Sequence, residues 1–232
     1  MTVTDAVRYV SLPIVVALCA CGFGSEVRQQ VHQTIPAAAA PAIHLENAAG
    51  SVQIDAWSKS VIDLKATKSA NTLEALRNVQ IDVRTGNDGV FITTKYAGAS
   101  HEGGVSYVLT VPANSSLDVR NGAGSVGITG VRGSVAVTTQ AGSITATLGT
   151  VAGSRSVVLG ATTGSIRLFV GSGSSARVQA RSSVGSVSTG FPGVSVTREN
   201  VVGATGSGKI GAGSATIRLT TTTGSIALQR AP

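Results

Sequence analysis

Few side chains in this sequence carry reactive chemistry, and their spacing decides what they can do. The three histidines, His32, His44 and His101, stand far apart. His101 adjoins Glu102 in a glycine-rich loop, the nearest approach to an acid/base pair, although a polar loop explains both residues. His44 alternates with Ile43 and Leu45 and is expected to face solvent. No spacing of His, Cys, Asp or Glu matches a metal site. The run Gly203 to Lys209 reproduces the first seven positions of a phosphate-binding loop. Ile210 then stands where a Ser or Thr should hold Mg²⁺, and no helical pattern follows. Gly122–Gly127 and Gly206–Gly211 both fit G-x-G-x-x-G, which any glycine-dense repeat generates, and neither opens a helix as a dinucleotide site requires. Glycoside hydrolysis needs two carboxylates about 5–10 Å apart. Beyond Gly122 the only acid is Glu199, with Asp118 at the border. The sequence therefore predicts no catalytic residue, no metal and no cofactor.

What remains is binding chemistry. The net charge of +7 is divided unevenly. Residues 1–118 hold 8 Lys/Arg and 10 Asp/Glu, a net −2, whereas residues 119–232 hold 10 Lys/Arg and one acid, a net +9. An acid-poor basic half points to an anionic partner; the competing reading is surface arginine kept for solubility. Arg167, Arg177 and Arg218 each lie between apolar residues, so strand alternation turns them outward. With Lys209 they are the candidate anion-binding residues, since guanidinium forks suit phosphate and carboxylate groups. Arg132, Arg155, Arg177, Arg198 and Arg218 fall 23, 22, 21 and 20 residues apart and predict an arginine ladder. Only Phe169 and Phe191 are aromatic in this half, which argues against base stacking on nucleic acid and against a neutral-sugar groove.

The elements that must position these residues follow from one phrase, Gly-Ser and then an apolar β-branched residue. It occurs at Gly50, Gly124, Gly142, Gly164, Gly185 and Gly224, and Gly206-Ser207 keeps the register with its apolar residue delayed to Ile210. From Gly124 onward these glycines are 18, 22, 21, 21 and 18 residues apart. A second set, Gly133, Gly153, Gly173, Gly193 and Gly213, falls 20 apart. A period near 20 predicts an all-β solenoid, each coil two strands and two turns. Threonines recur just before the phrase (Thr138-Thr139, Thr162-Thr163, Thr221–Thr223) and are expected to hydrogen-bond to one another across coils. Residues 43–121 read as less regular coils with a hairpin at Gly86–Gly89 and one short helix at 71–77 capped by Asn71; residues 122–228 read as regular repeats. Residues 43–228 make roughly nine coils and a stack of about 40 Å, taking about 4.8 Å per rung.

Residues 1–21 read as a targeting segment. The apolar run Val10 to Ala20 is too short to span a bilayer, which needs about 20 residues. It ends Leu18-Cys19-Ala20-Cys21-Gly22, which resembles the lipobox of bacterial lipoproteins and implies lipid attachment at Cys21; an ordinary signal peptide with incidental cysteines is the alternative. Residues 22–42, with Pro36 and Pro41 around four alanines, read as a tether to a folded domain over 43–232.

The strand Val105 to Val111 ending at Pro112, then Leu117-Asp-Val119, Gly124-Ser-Val126 and the closing Thr222-Thr-Gly224-Ser-Ile226, together resemble the bacterial putative-adhesin family, over about residues 43–228. The resemblance implies an envelope β-solenoid of a domain class without assigned function and with no catalytic residues to carry over. The leading expectation is a non-catalytic surface module outside the cytoplasm, held to a bacterial membrane by its lipid and touching anionic polysaccharide or lipid through a basic face. A self-assembling scaffold joined through solenoid ends is the alternative, and a polysaccharide-degrading β-helix is the weaker one. No nucleic-acid partner is expected. If Cys21 is the acylated residue, cells fed labelled palmitate incorporate it into the wild-type protein and not into Cys21→Ala; equal labelling of both rejects the anchor.

Overall fold

The computed structural model describes residues 26–98, 102–199 and 202–231; the targeting segment, Cys21 and His101 lie outside them. The first half of the chain runs β1 (Val27–Pro36), β2 (Ala42–Ala49), β3 (Val52–Trp57), β4 (Val61–Ala70), α1 (Leu73–Asn78), β5 (Val79–Gly86), β6 (Gly89–Tyr96), β7 (Gly104–Pro112) and β8 (Ser116–Ala123). Next come β9 (Val126–Thr129), β10 (Val135–Ala141), β11 (Ile144–Leu148), β12 (Ser156–Thr163), β13 (Ile166–Val170) and β14 (Ala176–Val184). The chain ends with β15 (Val187–Thr189), β16 (Val194–Glu199), β17 (Gly203–Ile210), β18 (Ala215–Thr223) and β19 (Ile226–Arg230). The fold is nearly all β, as the glycine and β-branched pattern requires.

The strands form two sheets around one continuous apolar core. Sheet A is ordered β1-β4-β7-β3-β9-β11-β13-β19-β15, and sheet B β16-β17-β14-β18-β12-β10-β8-β2-β6-β5. From β8 to β15 the chain alternates between the sheets at every strand, and neighbouring rungs pair in parallel. Alternate residues point inward, so Val135, Val137, Ile144, Leu148, Leu159, Ile166, Leu168, Ile217 and Leu219 are all buried.

Six of the rungs turn from sheet B to sheet A at Gly50, Gly124, Gly142, Gly164, Gly224 and Gly185, all with positive φ. The backbone continues its ladder through the turn: Gly124 N donates to Ala141 O, and Val126 N to Ser143 O, each at 2.8–2.9 Å. The residue three before each glycine points into this corner. Asn121 Nδ2 donates to Gly124 O (2.9 Å) and Gly50 O (3.2 Å), Thr221 Oγ1 to Gly164 O (2.9 Å) and Ser182 Oγ to Gly224 O (2.7 Å). Thr221 thus serves the glycine carbonyl of a neighbouring rung rather than another threonine. Thr139 Oγ1, at the same corner, is the one buried side-chain polar atom among the described residues without a partner.

Four expectations change. First, the rungs do not stack in chain order: β18 lies between β12 and β14, and β19 between β13 and β15. Gly206 is therefore no corner. It lies within β17, which pairs antiparallel with β14 and β16, and the phosphate-loop-like run is that strand. Second, the parallel rungs are fewer than nine, because β1, β4, β5, β16 and β17 pair antiparallel at the two ends of the stack. Third, residues 27–36 of the supposed tether are an edge strand, β1, which buries Gln33 and Ile35 against β4. Fourth, α1 starts two residues later than expected, with Thr72 as its cap: Thr72 Oγ1 accepts from Ala75 N at 3.1 Å. The hairpin is as expected, with Gly86 opposite Gly89 in the β5–β6 pair.

Two tests follow from this packing. At Gly164 (φ +147°) an added Cβ would overlap the carbonyl oxygen of Gly142. Gly164→Ala should cost about 2–4 kcal/mol, whereas Gly149→Ala, with nothing within 4 Å of its Cβ, should change stability by less than about 0.5 kcal/mol; denaturant unfolding measures both. Tyr107 is fully buried, and its Oη lies 2.8 Å from Thr94 Oγ1. Burial, against a smaller pull from Thr94, pushes its phenol up to about 12. The folded state keeps this proton after an unfolded tyrosine, titrating near about 10, has lost it. The contribution is therefore intact below about pH 10 and is lost between about pH 10 and 12. Unfolding at about pH 9 and about pH 11.5 should show a smaller alkaline loss of stability in Tyr107→Phe than in wild type.

Candidate functional site

The candidate site is the outer face of sheet B. Its residues are the polar partners of the inward apolar ones, and the parallel register lines them up in rows across the strands. One row is set by the pairs Thr93–Glu46, Glu46–Arg120, Arg120–Thr138, Thr138–Gly160, Gly160–Thr220, Thr220–Arg181 and Arg181–Thr205. The next row, two residues earlier on the parallel strands, includes Phe91, His44, Asp118, Ala136, Val158, Arg218, Gln179 and Ser207.

The C-terminal strands make one end of this face basic. Arg177 on β14 stands directly opposite Lys209 on β17. Like charges placed so are destabilising. A side chain at Gly213 would meet Lys209 Cδ at 3.2 Å and Arg177 Cγ at 3.4 Å, so its absence gives both stems room. Arg218 on β18 is opposite Gln179, whose Oε1 accepts from Arg218 Nη2 at 3.4 Å. Arg181 follows on β14 and meets Glu199 Oε2 at 3.4 Å. A shallow pocket of about 310 Å³ opens between Arg181 and Arg218 over Thr205, Ser207 and Thr220.

The other end is mixed. The rings of His44 and Phe91 stack with centroids 4.7 Å apart and planes 9° apart. His44 Nδ1 lies 3.5 Å from Asp118 Oδ2. Arg120 sits between two carboxylates, with Nη1 3.3 Å from Glu46 Oε1 and Nη2 3.9 Å from Asp118 Oδ2. Pockets of about 240 and 560 Å³ open here and share Glu46, Thr93 and Arg120.

The predicted site residues divide. Arg177, Lys209 and Arg218 come together on sheet B. Arg167 is exposed on β13 and belongs to sheet A, so it lies apart from them. The arginine ladder does not form, because equal spacing along the chain places these residues at different points of the rung. Arg132 is in the β9–β10 turn. Arg155 is half-buried and structural: its guanidinium donates to the carbonyls of Val131, Gly133 and Thr150 at 2.7–3.2 Å, and burial lowers its pKa. Arg198 alternates with Thr197 and Glu199 and so has the opposite orientation on β16. Arg181, missed from sequence, was legible as the third alternating polar residue after Arg177 and Gln179. Phe91, Glu46 and Arg120 were not, because only the pairing of β6, β2 and β8 joins them. His32, assigned to the tether, is on β1 with Nε2 2.5 Å from Asp63 Oδ1. Burial raises the Asp63 carboxyl, but the hydrogen bond and charge of His32, with Lys65, more than offset this and hold it below its ordinary range.

With this geometry the sequence matches one family model, Toastrack DUF4097, over residues 38–229. The chain belongs to the Toastrack DUF4097 family. No functionally curated protein matches it in sequence. Among solved structures, a "putative cell adhesion protein" from Clostridium sporogenes is similar over 88% of this chain and 100% of its own, with a TM-score of 0.65 and 12% identity. A "putative adhesin" from Bacteroides fragilis covers 86% of this chain and 97% of its own at 9% identity, but its TM-score is 0.32. The Clostridium structure thus shares the Toastrack fold; at this identity the likeness extends to the fold alone.

Proposed function

We propose that this Toastrack protein is a non-catalytic module of the bacterial cell envelope that holds an anionic polymer against the outer face of sheet B. The observation that carries the reading is the convergence of Arg177, Arg181, Lys209 and Arg218 on three adjacent strands, β17, β14 and β18, with Glu199 the one acid paired among them. A sheet face with outward cations on adjacent strands suits a carboxylate- or phosphate-bearing chain, since each guanidinium offers a planar fork. Insertion into a membrane fits less well. The exposed large apolar residues Leu73, Val108, Val184, Val196 and Val202 lie off this face. The name of the Clostridium structure supports a surface role. In this reading the rungs are coils of a β-solenoid, and a lipid on Cys21 keeps the module outside the cytoplasm.

The test is binding of the purified protein to alginate and to phosphatidylglycerol vesicles at rising salt. Alginate should bind at low salt and weaken at least about tenfold by about 0.5 M NaCl, where charges are screened beyond a few ångströms. Joint reversal of Arg177, Lys209 and Arg218 to Glu should abolish binding, and Arg167→Glu should leave it unchanged. No binding at low salt, or equal loss with Arg167→Glu, rejects the site; binding to vesicles alone makes the partner a lipid surface.

A further inference from the structure

Two of the concavities on sheet B lie along one row. The pocket at the mixed end is lined by Thr93, Glu46, Arg120 and Thr138, and the pocket at the basic end by Thr220, Arg181 and Thr205. These residues belong to the same lateral row, and the strand between the two pockets contributes Gly160 to it. Gly160 has no need of its glycine for backbone reasons. Its φ is not positive, and an added Cβ would meet only Thr138 Cγ2 at 3.6 Å and Val137 O at 3.9 Å, ordinary contacts. What its missing side chain does is leave the floor open between Thr138 and Thr220.

We infer that the row is a continuous trough running across the strands from Thr93 to Thr205, and that it takes an extended acidic polysaccharide. It crosses eight strands, so at about 4.8 Å per strand it is roughly 34 Å long. The inference rests on the reading above for the acidic groups, which the arginines of the basic end would hold. It goes beyond it in the rest of the chain. The lining of hydroxyls with Glu46 and Arg120 offers both donors and acceptors, which suits a polyhydroxylated chain. The stacked His44 and Phe91 give the mixed end an apolar wall against which the C–H face of a sugar ring can rest. A polyphosphate fits poorly, because it brings neither the hydroxyls that Glu46 could accept from nor a C–H face for the ring wall.

The experiment compares the full chain with Gly160→Tyr and the control Gly149→Ala, using alginate fragments of graded length. Wild type should bind more tightly as the fragments lengthen, until they span the trough, because each added contact is intramolecular. Gly160→Tyr fills the floor at mid-length. It should cut binding of the long fragments at least tenfold, leave that of the shortest ones unchanged, and leave Tm within a few degrees; Gly149→Ala, outside the row and with open space at its Cβ, should bind as wild type. If Gly160→Tyr does not fold, Thr138→Trp places the same obstacle one strand away. Length-independent binding, or long fragments bound equally by wild type and the blocked variant, overturns the trough. If that result comes with loss of binding on reversal of Arg177, Lys209 and Arg218, the anionic contact stands without it.

Discussion

Each regular rung of this protein crosses from one sheet to the other at a glycine, and the carbonyl oxygen of the neighbouring rung's glycine occupies the space a Cβ would need. Gly124 lies against Gly50, Gly142 against Gly124, Gly164 against Gly142, Gly224 against Gly164 and Gly185 against Gly224. The column depends on positive φ and on close backbone approach together, and only glycine allows both. It also turns a row of carbonyls into the core, where polar groups need partners. Asn47, Asn121, Thr221 and Ser182, each three residues before its glycine, supply them. The buried Asn47–Thr94–Tyr107 network closes the same corner at its N-terminal end.

A stack of parallel rungs leaves exposed edges at its ends. Here antiparallel strands make three of the four sheet edges, and sheet A ends on the short parallel strand β15. At one end β1, β4 and β5 surround α1, where Ala70, Ala75 and Leu76 form a small second core with Val27. At the other, β16 and β17 form a hairpin that buries Val194, Ala204 and Ile210. That hairpin carries the chain outward past β14, and β18 then returns into the gap between β12 and β14. The C-terminal strand β19 is consequently interior to sheet A, and the end of the chain is not the end of the stack.

The outer face of sheet B follows from this order. Because β18 lies beside β14, Arg218 comes next to Gln179 between Arg177 and Arg181; stacking in chain order would have put β17 and its Lys209 elsewhere. Because β6 pairs with β2 and β2 with β8, the aromatic and acidic residues of the first half share a surface with the arginines of the second. The charge asymmetry along the chain becomes an asymmetry along a single face.

The sequence by itself determined the local structure. Its glycine period and alternating apolar residues set an all-β chain of rungs, the corner at each Gly-Ser that an apolar β-branched residue directly follows, the hairpin at Gly86–Gly89 and the outward orientation of Arg177 and Arg218, because turn geometry and strand parity depend on residues close in the chain. It also held the signal for β1, in Val27, Val31 and Ile35, although the intervening glutamines and the flanking prolines masked it. Only the tertiary structure decided which rung lies beside which. The Gly206 phrase matches the corners in spacing, yet the delay of its apolar residue to Ile210 places it in a strand; every other rung presents the same glycine column and the same apolar interior, so rungs are interchangeable in their local chemistry. Their order was settled by non-local packing, through the hairpin that closes the stack. With it were settled the separation of Arg167 from the other arginines, the burial of Arg155 against turn carbonyls, and the grouping of Phe91, Glu46 and Arg120.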